Sequence, residues 1–367
     1  MAAILDRALD EKEISPKEGI ELMKTSGRDL WSLILTADWL RRKRVGDIVT
    51  YIVNRNINLT NICTVGCKFC AFHRLPGAPD AYTLSIGKVA EMAREAWERG
   101  ATEVCIQGGC NPTLDAHYYV ELISAVKAAA PGIHIHGFSP MEIYHVAQRA
   151  NLPIREVLKM LKEVGLGSIP GTAAEIFSER VRRTLCPNKL PTHLWVEIIK
   201  TAHKLGIPST STMMYGHIDE SEDCVEHLQL LRAIQKETHG FTEFIPLSFI
   251  HQRAPIFLEG NARPGATGIK DLKIYAVSRI FLNGWVDNIQ VSWVKLGLKF
   301  AQVALNAGAN DFGGTLMEEN ISRAAGATAG EYLSPVEIRR LIRDIGRIPA
   351  ERNTTYKILR MFGGTEL

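Results

Sequence analysis

DIVTYIVNRNINLTNIC, residues 47–63, alternates β-branched with polar side chains and ends on a cysteine. A period of two reads as a strand, and Cys63 falls just past it, where a strand gives way to a loop. That loop, TVGCKFCAFHR (64–74), supplies Cys67 and Cys70, with Phe69 before the last cysteine. Three thiolates at C-x3-C-x2-C can hold three corners of a four-iron cluster and leave the fourth iron without a protein ligand. An open metal position separates a site that does chemistry from one that staples a fold. Two other readings stand at this point. Zinc could bind with Cys105 or Cys110 as fourth ligand, although structural zinc usually arrives as two C-x2-C pairs or with paired histidines. The three could also be unliganded core thiols.

Outward from this stretch, helix and strand patterns alternate. Helices are predicted over 85–99, 114–130, 140–149, 154–164, 193–205, 224–237, 269–283 and 295–306. Between them lie short apolar runs at 103–107, 133–138, 166–169, 208–215, 243–249, 288–293 and 311–313. With the run from Tyr51 this makes eight strands. Strict alternation implies parallel strands joined by right-handed crossovers, and eight imply a closed α/β barrel of the (β/α)8 TIM type. An open dinucleotide-binding sheet would show G-x-G-x-x-G after its first strand, and none is present. Residues 1–46 read as an N-terminal helical extension, with Ser15-Pro16-Lys17-Glu18 opening one helix. The expected organisation is that extension, a barrel over 47–316, and a tail of helices over 317–367 packed on it.

Composition narrows the function. The 367 residues carry 43 basic and 40 acidic side chains, a net charge of +3, which gives no electrostatic case for nucleic acid. No apolar run is long enough to span a bilayer, and MAAILDRALDEKEIS has acids where a signal peptide needs an apolar core. Seven cysteines, three of them clustered, do not read as a secreted disulfide framework. A reducing cytoplasm is the expected location.

In a barrel, chemistry gathers at the C-terminal ends of the strands. There the sequence places Gly108-Gly109-Cys110, whose paired glycines let bare backbone approach a ligand. His134 and His136 share a face of the third strand and read as core histidines, with His136 nearer the strand end. Glu175 could accept ribose hydroxyls, and Arg182 could pair with a carboxylate. The fifth strand is expected to present Met213 and Tyr215 as apolar walls, and His217 beyond it as the group best placed for proton transfer.

Seven stretches together carry a resemblance: NRNINLTNICTVGCKFCAF (54–72), HIHGFSPMEI (134–143), GLGSIPGTAAEIFSERVRR (165–183), CPNKLPT (186–192), STSTMMYGHID (209–219), GFTEFIPLSF (240–249) and GGTLMEENISRAAGA (313–327). The cysteine loop resembles that of the radical S-adenosylmethionine (SAM) superfamily. The set is similar to its 5-amino-6-(D-ribitylamino)uracil–L-tyrosine 4-hydroxyphenyl transferases, the tyrosine-using components of FO synthase. Aminofutalosine synthase and cyclic dehypoxanthinyl futalosine synthase, of menaquinone biosynthesis, share the cysteine loop and the MM-[YF]-G strand and are the alternatives. A zinc-stapled barrel acting as a hydrolase or binding protein is the alternative of another class. The resemblance implies a 4Fe–4S cluster on Cys63, Cys67 and Cys70, and SAM against Phe69, Gly108, Gly109, Glu175, Arg182, Met213 and Tyr215. It implies L-tyrosine and the ribitylaminouracil as substrates, the second FO synthase component as partner, and ferredoxin or flavodoxin as electron donor. Most of the superfamily has an acidic residue after the paired glycines, where this chain has Cys110.

Overall fold

The computed structural model describes residues 1–363. The run from Asp47 forms two strands in line, β1 (Ile48–Ile52) and β2 (Asn54–Asn58). They continue one path but change neighbours. β2 pairs in parallel with β3 (Glu103–Gln107), β3 with β4 (His134–Gly137), and β4 with β5 (Leu166–Ser168). A bridge from Ile169 to Ser209 leads to β6 (Ser209–Tyr215), which pairs with β7 (Phe241–Ser248). Residues 288–291 form the seventh position through single bridges, Phe244 to Ile289 and Gln290 to Asp311. β8 (Asp311–Gly314) then returns to β1. The ring is therefore closed, all parallel and eight positions around, as the alternation required.

The tail differs from expectation. Helices Asn320–Ala325 and Pro335–Asp344 are followed by strands rather than by more helix. β9 (Ile348–Arg352) lies parallel to β1 in register Ile48 to Ile348, and β10 (Ile358–Met361) folds back antiparallel on β9. β9 thus takes the flank of β1 that β3 takes of β2, and this is why the run breaks near Val53. The sequence hid this strand because Pro349 sits within it, and proline demotes so short a run. Residues 364–367 of the expected tail lie outside the described residues.

β9 also delivers a buried polar plug. Arg352 donates to both carboxylate oxygens of Asp311, at 2.5 and 3.1 Å, and lies 3.6 Å from Glu243. Tyr356 donates to Glu243 at 2.6 Å and stacks under the Arg352 guanidinium. A lone buried arginine or carboxylate would be costly, and here each has a partner. Beside them Ser168 joins His134 and His136 through its hydroxyl, at 2.7 and 2.6 Å; His136 is buried in the core, whereas His134 is half-buried at its edge.

The helices pack around this ring by their apolar stripes, and the N-terminal extension closes one side. Helix Pro16–Met23 starts at a Ser15–Glu18 capping box, and its Gly19 lets the helix approach Phe281 and Val225.

Candidate active site

The cysteine loop is held by backbone on both sides. Cys63 N–H donates to Arg74 O at 2.9 Å, Lys68 N–H to Leu185 O at 2.9 Å, and Ile256 N–H to Lys68 O at 2.8 Å. The Arg74 guanidinium donates to the carbonyls of Ala71, Phe72 and His73, tying the turn after Cys70 to itself. This loop forms one wall of a cavity of about 240 Å³, many times the ~30 Å³ share of one water molecule. It is therefore a ligand site rather than a packing defect.

Cys63, Cys67, Cys70, Phe69, Gly108, Gly109 and Glu175 all line this cavity. The paired glycines have a reason the sequence did not suggest. A β-carbon on Gly109 would stand 2.2 Å from Ile62 O and 2.8 Å from Cys63 Cβ, and one on Gly108 would stand 2.8 Å from Leu59 Cγ. Their bareness seats the cysteine loop itself. Gly108 N–H donates to Glu142 at 2.9 Å, and Glu142 also accepts from Ser139 as the capping box of helix Pro140–Ala150. Burial raises the Glu142 carboxyl to about 7.

Opposite charges meet on the wall after β5. Lys189 forms a 2.5 Å ion pair with Glu175, and its ammonium lies 5.2 Å over the Phe69 ring. Burial opposes the charge on Lys189, yet Glu175 and the thiols nearby outweigh it and hold its pKa above the ordinary value. Glu175 sits at φ 49°, a left-handed backbone that glutamate rarely adopts. Arg182 maintains it: its guanidinium donates to Ala174 O at 2.6 Å and Leu190 O at 2.5 Å, clamping the chain next to Glu175 and next to Lys189. Arg182 is not among the cavity-lining residues, because backbone carbonyls already hold its donors. The expected carboxylate fork is corrected to a buried clamp.

β6 is read one residue out of phase. Met214 lines the cavity, whereas Met213 packs in the core and Tyr215 turns outward to donate to Asp271 at 2.7 Å. A shift of one residue exchanges the two faces of a strand, so neither Met213 nor Tyr215 forms the expected wall. His217 is also corrected. It is fully buried, accepts Ile218 N–H at Nδ1 and donates from Nε2 to Met214 O, and burial lowers its pKa. With both ring nitrogens committed and no face on the cavity, it cannot exchange protons with a ligand there.

Sequence reasoning missed Lys189, Glu142 and Lys295, all cavity-lining. Ser139-x-x-Glu142 was a legible capping signal, whereas a lysine inside CPNKLPT or past the seventh strand carries no mark of its own.

The donor set suits a multi-iron cluster. Cys63, Cys67 and Cys70 are free cysteines that all line the one cavity. A four-iron cluster takes its protein ligands as cysteine thiolates, one to an iron. Cys63 is drawn down to about 5 by the hydrogen bond from the Cys110 thiol, with Cys110 pushed up in turn, while burial pushes Cys67 up.

Two family models match the chain: the radical SAM superfamily over residues 57–231 and the CofH/MqnC C-terminal region over 238–363. The 5-amino-6-(D-ribitylamino)uracil–L-tyrosine 4-hydroxyphenyl transferase of Methanothermobacter thermautotrophicus is 56% identical over 354 residues, 96% of each chain. The protein of that name from Methanocaldococcus jannaschii is 57% identical over 352 residues, 95% of this chain and 98% of its own. The chain belongs to this transferase family. That membership, spanning nearly the whole chain, overturns the zinc-stapled reading and favours the transferases over the futalosine-pathway alternatives. Among solved structures, methylornithine synthase (PylB) superposes with a TM-score of 0.74 at 18% identity, covering 95% of this chain and 97% of its own. The FeFe-hydrogenase maturase HydG from Carboxydothermus hydrogenoformans gives 0.75 at 17%, covering 97% and 80%. Both share the fold. Radical SAM membership implies a 4Fe–4S cluster and SAM for this transferase family member. No helix among the described residues is long and apolar enough to cross a membrane.

Proposed function

We propose that the chain is a radical SAM transferase that joins the 4-hydroxybenzyl fragment of L-tyrosine to 5-amino-6-(D-ribitylamino)uracil, releasing 2-iminoacetate, 5′-deoxyadenosine and methionine. The observation that carries this is the meeting of Cys63, Cys67 and Cys70 on one cavity in a chain 56% identical to such a transferase along its length. The three thiolates are the ligands we assign to the cluster. When bound, cluster and SAM supply a 5′-deoxyadenosyl radical, chemistry that no side chain provides.

The protein's part is positioning and shielding. Phe69, Gly108 and Gly109 hold the cysteine loop's side of the cavity, and the Glu175–Lys189 pair offers a carboxylate and an ammonium to a ligand carrying hydroxyls and a carboxylate. Arg182 acts through that pair as a positioning residue. Met214, Leu247 and Phe249 give the cavity an apolar wall that keeps water from a reactive fragment. We place the protein in a reducing cytoplasm, with an electron donor such as ferredoxin or flavodoxin and the second FO synthase component acting on its product.

The test is anaerobic incubation with SAM, a reductant, L-tyrosine and the diaminouracil. Deoxyadenosine and a tyrosine–uracil adduct are expected together, and Cys67→Ala should abolish both while leaving the circular dichroism of the barrel unchanged. Turnover only with a futalosine-pathway substrate, or retained SAM cleavage in Cys67→Ala, would overturn the proposal.

A further inference from the structure

Two lysines line the cavity, and only one has a carboxylate. Lys189 is paired with Glu175 at 2.5 Å. Lys295 enters just past the seventh strand position, on the short helix Trp293–Leu296, and its ammonium makes a single side-chain hydrogen bond, to Ser322 Oγ at 3.3 Å. Among the described residues no carboxylate comes within ion-pair distance of it. Leu247, Phe249, Ile250 and Ile321 line the same cavity. Burial accordingly lowers its pKa, against weaker pulls from Glu319 and Glu175. A partly enclosed ammonium on a cavity with apolar lining, with two of its three donors unused, is half of an ion pair whose other half arrives with a ligand.

We infer that Lys295 binds the carboxylate of the amino-acid substrate, and so selects L-tyrosine over the corresponding amine. This rests on the tyrosine reading above. The ribitylaminouracil bears no carboxylate, which leaves tyrosine and SAM as the two carriers of one. SAM is assigned to the wall bearing the cysteine loop and the Glu175–Lys189 pair, whereas Lys295 belongs to the wall formed past the seventh and eighth strands. Lys295 is thus a specificity residue: it fixes one end of tyrosine so that the ring and side chain lie along the cavity.

The experiment measures equilibrium binding of L-tyrosine and of tyramine, which lacks only the carboxylate, to the cluster-loaded protein with SAM present. Wild type should favour L-tyrosine. Lys295→Met should weaken L-tyrosine binding about 10- to 100-fold, the loss of one charge-assisted contact, and change tyramine binding less than about twofold. Lys295→Arg should restore most of the preference. Equal losses for both ligands would make Lys295 a packing residue and overturn the inference. A loss in SAM affinity with tyrosine affinity unchanged would give Lys295 to the SAM carboxylate and overturn it equally. Wild-type protein that binds SAM but neither tyrosine nor tyramine would instead sink the functional reading itself, and this inference with it.

Discussion

Replacing Gly109 by alanine tests whether the paired glycines serve the cysteine loop. The new β-carbon would stand 2.2 Å from Ile62 O and 2.7 Å from Ile62 C, and carbon–oxygen contacts rarely close below about 3.3 Å. The Ile62 carbonyl must therefore retreat by about 1 Å, although Gly109 N–H is bonded to Thr60 O at 2.9 Å and pulls the same segment inward. Gly109 does not use a positive φ, so no backbone strain confuses the result. Overpacking of this kind costs about 1–3 kcal/mol, or roughly 1–4 °C in Tm for a chain of this size. The larger effect should fall on Cys63, one bond further along, because a displacement of about 1 Å in a positioned group can cost on the order of 100-fold in rate. Iron and sulfide per chain after anaerobic reconstitution, with the rate of deoxyadenosine formation, read it out. Gly87→Ala is the control: nothing lies within 4 Å of its β-carbon in the first turn of helix Ile86–Glu98, so stability, iron content and rate should not fall. A Gly109→Ala protein with wild-type iron content and rate would refute the reasoning.

Arg182→Met should strip the donors from Ala174 O and Leu190 O, costing about 1–3 kcal/mol for each buried acceptor left bare. Denaturant unfolding should show the loss, and the KM for SAM should rise more than kcat falls, since the clamp positions Glu175 and touches no ligand. The buried histidines lose stability on acidification, against a gain from the buried Glu142 carboxyl, which burial raises to about 7. His136 and His227 are buried, and burial lowers their pKa values to about 4 and about 3, below the unfolded ~6.5. A depressed folded pKa means stability that is complete above pH 6.5 and lost as pH falls toward 4, about 2 kcal/mol for each histidine at pH 5. Urea unfolding at pH 7 and pH 5 measures it: His227→Gln should shift the stability difference between the two pH values by about 2 kcal/mol in favour of pH 5, and an unchanged difference in that variant would contradict it.

The barrel was legible because alternating strand and helix periods are written in every repeat, and the cysteine loop because its spacing is local. What failed was whatever depends on which backbone or side-chain group a residue meets once the chain is folded. Met213 and Met214 are equally apolar, so only the pairing of β6 with β7 decides which one faces inward. Arg182 and His217 look like ligands until the carbonyls they serve come into view. Lys189 and Lys295 look like surface lysines until the fold encloses them. The last strands were missed because Pro349 and the charges around it disguise a segment that earns its place only beside β1.

That placement bears on how the molecule is made. Ile48 and Ile348, three hundred residues apart, are neighbours in one sheet. As a nascent chain leaves the ribosome, Asp311 and Glu243 emerge before the arginine that neutralises them, so the barrel's floor stays open until Arg352 has been synthesised. Such distant pairing is slow to form. A product cut short at residue 347 would carry every iron ligand and all eight ring positions, yet would have two acids converging beneath them without a cation, and cellular quality control would meet it as an incomplete vessel.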